Sequence, residues 1–411
     1  MKIISSTNKR GLRSLLSRNQ SEDSVRVRNV QRIVNDVRHH GDSAVRKYAR
    51  RFDKLRGPVE LSPDEIRDKA KATPPAVRKA IKEAARHIRR VSKKQIPPSW
   101  RTTVVPGVII EQRVTPLDRV GCYVPGGRYP LPSSLLMTAI PAKVAGVSEI
   151  LVACPNPAPA VLAAAMEVKV TRVFKMGGAH AIGAFAYGTR TVPAVDKIVG
   201  PGSAYVSAAK AYVAADCPID FYAGPTEIVI VSQNGNPDWI ASDLVAQAEH
   251  DPEARAILVT PSRSLATAVR SALTEQLKEH PAARSSIDTH GVAIVTDTIN
   301  EAVDLANAIS PEHAVTDTRA MANRLVRAGT VFVGPYAAQA AGDYATGSNH
   351  VLPTAGVARF RGGLSASDFV RVNSVQQLNQ RGLRRLAPSI ISLAHAEGLR
   401  AHAASVARRI V

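Results

Sequence analysis

The spacing of apolar residues divides the chain into a helical N-terminal part and a longer part in which strands and helices alternate. Residues 24–51 and 63–94 have apolar residues at helical spacing, and Pro74 and Pro75 predict a break in the second stretch. The preceding sequence SPDE, at 62–65, has the N-cap, proline and acidic residues that are typical of a helix start. This part therefore predicts amphipathic helices with their cations facing solvent.

From about residue 102 onward, short apolar runs alternate with alanine-rich stretches. The apolar runs predict strands at 108–112, 120–124, 150–153, 173–176, 197–199, 228–231, 256–259, 292–295 and 330–333. The alanine-rich stretches predict helices at 133–145, 158–167, 179–187, 203–213, 237–249 and 298–308. This alternation predicts βαβ units and parallel sheets. We expect one sheet around 123–226, a second from flanking segments, and two short helices after about residue 366.

Glycine and proline are concentrated at the ends of predicted strands. The stretches are 123–127 (YVPGG), 176–178 (MGG), 200–202 (GPG) and 223–226 (AGPT). Ligands of doubly wound sheets bind at the carboxyl ends of strands, where glycine lets the backbone approach a ligand. A tight turn explains any single stretch, but four together favour a ligand site. The dinucleotide fingerprint G-x-G-x-x-G is missing, so the pattern does not support an ordinary Rossmann site.

Two pairs of polar residues are candidates for chemistry. Gln247 and His250 are three residues apart at the end of a predicted helix, a spacing that suits two ligands of one metal ion or simple surface decoration. Glu312 beside His313 offers two proton-transfer groups with different intrinsic pKa values, a combination that is common in itself.

Further polar candidates lie toward the C-terminus: Asp343, His350, Glu397 and His402. Asp343 and His402 could complete a ligand set with Gln247 and His250, because zinc accepts carboxylate oxygen and imidazole nitrogen. The amide oxygen of Gln247 would be a less usual ligand, and sequence spacing alone does not bring these groups together.

Cysteine usage excludes two classes of structure. The chain has three cysteines, Cys122, Cys154 and Cys217, and no CxxC pair, which argues against a disulfide scaffold and a four-cysteine zinc site. Cys122 precedes a glycine-rich loop, so a nucleophile is conceivable, but no adjacent base supports that role. Small, buried apolar side chains are the simpler interpretation.

Length and composition predict a cytoplasmic protein of several domains. The 411 residues allow two to four domains, and 45% apolar residues allow a large core. The first residues lack the apolar segment of a signal peptide, and no apolar run of about 18 residues predicts a membrane span.

The net charge of +20 suggests nucleic-acid binding until the charges are located. Residues 1–100 hold 26 Lys and Arg against 10 acidic residues, and residues 371–411 hold seven against one. Residues 101–370, with 21 against 23, are nearly neutral. A solvated helical surface explains this excess better than salt-sensitive binding to DNA or RNA, so we expect no nucleic-acid partner and no membrane partner.

Long stretches of the chain closely resemble the histidinol dehydrogenase family. The matching stretches, in family order, are 119–147, 176–189, 195–210, 220–231, 243–260, 311–313, 329–369 and 397–402. They include GCYVPGG, MGGAHA, VGPGSAY, AGPTE, QAEHDP and GDYATGSNHVLPT. The resemblance covers essentially the whole chain. It implies two Rossmann-like, aldehyde-dehydrogenase-like α/β domains with parallel sheets, plus small N- and C-terminal helical pieces that intertwine in a homodimer.

The resemblance also implies a division of the chain. The regions are an N-terminal arm at 1–18 packing with the C-terminal region, a first α/β domain at 19–122 and 228–304, a second, NAD-binding α/β domain at 123–227, a small region carrying the acid–base pair at 305–365, and a helical tail at 366–411 that completes the partner's active site.

The family's activity is the oxidation of L-histidinol to L-histidine through L-histidinal, with one zinc ion per subunit and two NAD. By position, the implied zinc ligands are Gln247, His250, Asp343 and His402. Glu312 and His313 match the catalytic pair, with His313 as the base and Glu312 as the group that activates water. The implied NAD-site residues are Tyr123, His180 and Ser203, and the substrate-site residues are Thr226, Gln247, His250, His313, Asp343, His350, Glu397 and His402.

Three residues depart from the family pattern. His180 stands where the family usually has Gln, Ser203 where it has Asn, and Thr226 where it has Ser. Thr keeps the hydroxyl of Ser, whereas the other two changes affect the affinity for NAD and its preference over NADP. A paralogue that oxidises another polar alcohol, such as a sulfonated diol, is the alternative. Glu397 argues against it, because a carboxylate repels a sulfonate and favours a cationic amine.

Overall fold

The computed structural model describes residues 1–16, 24–126, 130–222 and 224–410. The strands are β1 (Lys2–Ser5), β2 (Glu60–Leu61), β3 (Trp100–Val105), β4 (Val108–Pro116), β5 (Arg119–Tyr123), β6 (Glu149–Ala153), β7 (Arg172–Phe174), β8 (Lys197–Val199), β9 (Glu227–Val231), β10 (Arg255–Thr260), β11 (Val292–Val295), β12 (His313–Thr316), β13 (Thr330–Val333) and β14 (Val370–Leu378).

Helices account for most of the remaining ordered backbone. They are α1 (Lys9–Leu16), α2 (Ser24–His40), α3 (Asp42–Phe52), α4 (Pro63–Ala70), α5 (Pro75–Ser92), α6 (Pro132–Ala145), α7 (Pro159–Val168), α8 (Gly178–Tyr187), α9 (Ala204–Val213), α10 (Pro237–Ala248), α11 (Arg263–Glu279), α12 (Arg284–His290), α13 (Ile299–Ile309), α14 (Arg319–Arg324), α15 (Gln339–Tyr344), α16 (Gln380–Ala396) and α17 (Arg400–Ala407). Short 3₁₀ turns lie at Pro281–Ala283, Val357–Arg359 and Ala366–Phe369. No described helix is long and apolar enough to cross a membrane.

Local sequence explains where the N-terminal helices begin and end. Ser62 accepts a hydrogen bond from the Glu65 amide, and Glu65 accepts one from the Ser62 amide, which is the capping box at the start of α4. Pro75 begins α5, so the break predicted at the two prolines is confirmed. Buried Ile81, Ala85 and Ile88 form the apolar stripe of α5.

The first α/β unit is a five-stranded sheet covered by helices on both faces. Its strand order is β2-β7-β6-β5-β8, with β5 to β8 parallel and β2 antiparallel to β7. One face packs on α5, α6 and α7, and the other on α2, α3, α8 and α9. The strands β7-β6-β5-β8 follow the order 3-2-1-4 of a doubly wound sheet, so the switch point lies between β5 and β8.

The second α/β unit is a six-stranded, fully parallel sheet. Its order is β1-β11-β10-β9-β12-β13. Helices α10, α11 and α12 cover one face, and α1 and α13 cover the other. The near-continuous apolar sequences of β9 and β10 suit strands that are buried on both sides. Two α/β units with parallel sheets were predicted, and the structure confirms them.

The C-terminal tail leaves the two units along a small sheet. Antiparallel strands β14, β4 and β3 form this sheet, and α16 then begins beside the β3–β4 turn, where Asn379 accepts a hydrogen bond from the Gly382 amide. The tail predicted at 366–411 as two short helices therefore begins with a short 3₁₀ turn and the nine-residue strand β14. Val370 and Val372 are two residues apart, but Val375 breaks the alternation, so the sequence pattern did not indicate a strand.

The sheets correct the predicted domain boundaries. Strand β5, at the end of the predicted segment 19–122, is the central strand of the first unit, so this segment packs with 123–222 and not with 228–304. The region 305–365 is not separate, because β12 and β13 extend the second sheet. In the N-terminal arm, β1 pairs with β11 rather than with the tail, and residues 17 and 18 lie outside the described part.

Candidate active site

Glu312 and His313 lie at the amino end of β12, beside the amino end of β9 in the second sheet. Their exposed fractions are 7% and 3%. The Glu312 Oε2 atom accepts hydrogen bonds from the Thr226 hydroxyl and, at 3.0 Å, from the Glu227 amide. The stretch 223–226 was expected at the end of a strand, but it precedes β9. Its Ala223 lies outside the described residues.

Burial shifts the pKa values of the two residues in opposite directions. It raises the pKa of Glu312 to about 8, because a charged carboxylate is poorly solvated there. It lowers the pKa of His313 to about 4, against the opposing effect of Asp343. At neutral pH the imidazole is therefore neutral and can accept a proton, whereas most Glu312 carboxyl groups hold one.

Helix α15 and the following loop bring Asp343 and His350 to His313. The His313 Nε2 and Asp343 Oδ1 atoms are 3.9 Å apart, and the His350 Nδ1 atom is 2.9 Å from the Asp343 carbonyl oxygen. Buried Gln339 donates its amide proton to Asp343 Oδ2 at 2.8 Å and lies 3.4 Å from His313 Nε2. The sequence analysis missed Gln339, since a Gln in an alanine-rich helix carries no distinguishing signal.

Gln247 is oriented so that its amide oxygen is the free atom. It lies in the last turn of α10 and donates from Nε2 to the Thr226 hydroxyl. Its Oε1 atom is buried and has no hydrogen-bond partner. A buried acceptor without a partner is unfavourable, so this oxygen fits a ligand role for a metal ion or a substrate donor.

The chain brings only part of the implied zinc set together. His250 follows the end of α10 and is exposed. A positive charge on His250 would lower the pKa values of His313 and His350, so His250 lies close enough to both imidazoles to affect them. The described residues contain no cluster of three or more His, Cys, Asp or Glu side chains that could hold a metal ion. Gln247, His250 and Asp343 nevertheless provide oxygen and nitrogen donors that suit zinc.

Glu397 and His402 lie apart from these residues. Both are exposed, at the C-cap of α16 and in α17, and these two helices pack against each other. No hydrogen bond or ion pair of the described residues joins either of them to Gln247, Asp343 or His350. The described residues of one chain therefore do not bring Glu397 and His402 together with the other implied zinc and substrate residues.

Glu227 is a second buried carboxyl group that the sequence analysis missed. It is 2% exposed, and burial raises its pKa to about 7. Its Oε1 atom accepts a hydrogen bond from the Ala355 amide at 3.0 Å, and Thr354 accepts one from the Gly224 amide. These bonds hold the loop after His350 against β9. The sequence signal that could have identified Glu227 is an acidic residue at the start of a buried apolar run.

The implied NAD residues lie at the carboxyl end of the first sheet. The Tyr123 hydroxyl accepts a hydrogen bond from the Gly178 amide at 3.2 Å, and exposed Ser203 precedes α9 without capping it through its side chain. Gly200 has a φ of +114°, and a Cβ atom there would lie 2.2 Å from the Tyr123 carbonyl oxygen. Gly127, from the predicted turn at 123–127, lies outside the described residues.

All three cysteines are free and buried. Burial raises the pKa of Cys122 to about 12, so its thiol stays protonated at neutral pH. The simpler interpretation of these residues as apolar side chains agrees with their burial.

The fold and site define an α/β enzyme with a buried carboxyl–imidazole pair next to unpartnered metal-type donors. The family model for histidinol dehydrogenase matches residues 16–410. The chain is 44% identical over 394 residues to the histidinol dehydrogenase of Methanothermobacter thermautotrophicus, covering 92% of each chain. It is 45% identical over 395 residues to that of Agrobacterium fabrum, covering 93% of this chain and 91% of the relative.

The fold agrees with the same assignment. The crystal structure of histidinol dehydrogenase from Elizabethkingia anophelis superimposes with a TM-score of 0.94 and 31% identity, over 100% of this chain and 98% of that one. The chain belongs to the histidinol dehydrogenase family.

Proposed function

We propose that this enzyme oxidises L-histidinol to L-histidine through L-histidinal and reduces two NAD. The observation that carries the proposal is the buried Glu312–His313 pair beside Asp343 and the free amide oxygen of Gln247. Family membership supplies the substrate. We expect the enzyme to act in the cytoplasm.

In the first step, neutral His313 takes the proton of the substrate hydroxyl. An alcohol is a poor hydride donor until this proton leaves, so the base makes the carbinol carbon reactive. The low pKa of His313 keeps the imidazole in its accepting form at neutral pH. NAD, when bound, would supply the hydride acceptor, and loss of the proton and the hydride would convert the alcohol to an aldehyde.

In the second step, Glu312 activates the water that the aldehyde needs. An aldehyde has no second hydride to lose until water adds to its carbonyl carbon. Ionised Glu312 takes a proton from that water as it adds to the aldehyde, and a second NAD, when bound, would supply the acceptor for the hydride of the hydrate. The Thr226 hydroxyl and the Glu227 amide hold the carboxylate oxygen in place for this transfer.

We assign zinc to Gln247, His250, Asp343 and the His402 position of a second copy. The free Oε1 of Gln247 supports this assignment, as does the nitrogen and oxygen chemistry of the other donors. Zinc would supply a fixed point for the substrate amine and imidazole. Gln339 orients Asp343 by its hydrogen bond, as outer partners of metal ligands commonly do.

We further infer a homodimer in which each tail completes the other copy's site. Glu397 and His402 are exposed on helices that extend from the small β3-β4-β14 sheet. Because one chain would contribute only three of the four assigned ligands to its site, a single chain would bind zinc weakly. A neighbouring tail would add His402 as a ligand and Glu397 as a carboxylate for the cationic substrate.

Turnover of two substrates by zinc-loaded protein tests the proposal. We expect NADH formation with L-histidinol and none with 2,3-dihydroxypropane-1-sulfonate. The variant His313→Ala should lose turnover and keep its zinc, because His313 acts as base and not as ligand. Oxidation of the sulfonate alone would overturn the proposed substrate, and loss of zinc from the variant would overturn the assigned role of His313.

A further inference from the structure

Asp53 reaches the carboxyl end of the first sheet from the end of α3. Its Oδ2 atom lies 2.9 Å from His180 Nε2 and accepts a hydrogen bond from the Gly177 amide at 2.9 Å. Its side chain is 10% exposed. The Oδ1 atom accepts no hydrogen bond from any described residue. The Oδ2 atom therefore makes contacts within the protein, and the Oδ1 atom is available to accept a hydrogen bond from a ligand.

His180 is enclosed by protein groups next to Asp53. Its ring is 1% exposed and lies 6.1 Å from the Tyr48 ring and 6.4 Å from the Phe52 ring. Its Nδ1 atom is buried without a hydrogen-bond partner. The pairing with Asp53 thus directs the Nε2 atom of His180 toward a protein carboxylate.

The start of α8 is already occupied by protein groups. The Gly177 amide donates to Asp53, and the Gly178 amide donates to the Tyr123 hydroxyl. Two amide groups of this glycine-rich turn therefore already have acceptors within the protein. The Asp53 carboxylate therefore lies at a helix N-terminus, a position that could otherwise bind an anion.

In doubly wound sheets that bind NAD, an acidic side chain at the end of the second strand accepts hydrogen bonds from the adenosine ribose, and a 2′-phosphate is repelled there. The second strand of this sheet is β6, which runs into Cys154, Pro155 and Asn156 and has no acidic residue at its end. Asn156 donates its side-chain amide to the Asp53 carbonyl oxygen at 3.1 Å, which fixes Asp53 beside that strand end. Asp53 therefore supplies from α3 the carboxylate that β6 lacks.

We propose that Asp53, oriented by His180, selects a dinucleotide with a free adenosine ribose diol and rejects one with a 2′-phosphate. Asp53 is the specificity residue, and His180 is a positioning residue that acts through it. The inference rests on the proposed use of NAD, and it assigns the preference over NADP to a residue outside the glycine-rich turns.

Asp53→Asn tests this role with little change to the fold. A single amide oxygen can replace Oδ2 and accept from both His180 and Gly177, while the amide nitrogen replaces Oδ1 as a donor. We expect NAD binding to weaken roughly tenfold and NADP binding to tighten, so that the ratio of their dissociation constants shifts by more than about tenfold. The measurement is titration of each dinucleotide by calorimetry, without substrate.

Two further variants separate the possible causes. Asp68→Asn removes the same charge from the exposed Asp68–Lys71 pair on α4 and should leave the ratio unchanged. His180→Gln keeps a donor for Asp53 and should keep the preference for NAD. An unchanged ratio in Asp53→Asn, or equal weakening of both dinucleotides, would overturn the inference. So would a ratio that shifts in His180→Gln and not in Asp53→Asn. Histidinol turnover by the unaltered enzyme reports separately on the proposed function.

Discussion

At the scale of single residues, Thr226 connects the two halves of the proposed chemistry. Its hydroxyl accepts from the Gln247 amide and donates to Glu312 Oε2, so one side chain orients both the assigned metal ligand and the group that activates water. The presence of Thr in place of the family's usual Ser keeps this hydroxyl. The contact explains why that departure is compatible with the site.

Thr226→Val removes the hydroxyl and keeps the shape of the side chain. Gln247 Nε2 and Glu312 Oε2 each lose a buried partner, so we expect zinc affinity to fall about tenfold or more and turnover to fall with it. Chelator competition measures the zinc affinity. Thr226→Ser should retain it. Thr316→Val is the matched control, because the buried Thr316 hydroxyl has no hydrogen-bond partner, and equal losses in both Val variants would contradict the role of Thr226.

The raised pKa of Glu312 predicts a pH dependence for the second oxidation. Only the ionised carboxylate can take a proton from water, and its fraction rises with pH up to and through about 8. The value of kcat/KM for L-histidinal should therefore increase about tenfold per pH unit below pH 8 and then level off. Glu312→Gln should remove both the rise and most of the rate. A flat profile for the unaltered enzyme would argue against Glu312 as the water-activating base.

Sequence reasoning identified Glu312, His313 and Gln247 but not Asp53, Gln339 or Glu227. The first group was recognised as pairs of neighbouring polar residues in stretches that match the family in sequence. Asp53 ends an ordinary amphipathic helix, and its partner His180 is 127 positions away. The role of Asp53 depends on this long-range contact, so no local sequence pattern predicts it.

At the scale of elements, buried parallel strands were the most predictable features. The strands predicted at 197–199, 292–295 and 330–333 have the observed bounds. Strands β1 and β12, each four residues long, were not predicted from the sequence. Their identity as strands comes from pairing with β11 and β9, which tertiary structure alone determines.

The turn between β8 and α9 depends on a buried ion pair. Lys210 in α9 contacts the Asp220 carboxylate and donates to the Gly200 carbonyl at 2.9 Å, while Asp220 accepts from the Gly200 amide at 2.8 Å. Lys210→Met leaves the Asp220 charge buried without its cation, and we expect a loss of about 3–5 kcal/mol in the free energy of unfolding. Urea denaturation followed by circular dichroism measures it.

Lys71→Met is the control for this prediction. It breaks the exposed Lys71–Asp68 pair, in which both side chains are 69% exposed, and should change the stability little. If Lys210→Met were no less stable than Lys71→Met, the ion pair would not support the turn.

At the scale of the whole molecule, the two sheets contribute opposite ends to function. The NAD-type residues lie at the carboxyl ends of the first sheet, and Glu312 and His313 lie at the amino ends of the second. The chain crosses between the units after β13, where Val351, Leu364 and Phe369 join the core of the first unit. Asp343 and His350 belong to this crossing, so folding of both units positions them. The two sheets therefore place the proposed site residues at opposite strand ends.

Subunit exchange tests whether a tail serves the other copy. His313→Ala and His402→Ala homodimers should each be inactive. In a mixed dimer, one of the two sites would combine an unaltered His313 with an unaltered His402. Random exchange should therefore give about one quarter of the activity of the unaltered enzyme. Activity that does not return after demonstrated exchange would show that each tail serves its own chain.

The central claim is that one site carries out both oxidations of L-histidinol. The most direct measurement is the end point of NADH formation, by absorbance, from a limiting and known amount of L-histidinol with zinc-loaded enzyme and excess NAD. The account predicts two NADH and one L-histidine for each L-histidinol consumed. One NADH with accumulation of L-histidinal, or no NADH from enzyme shown to hold zinc, would contradict it.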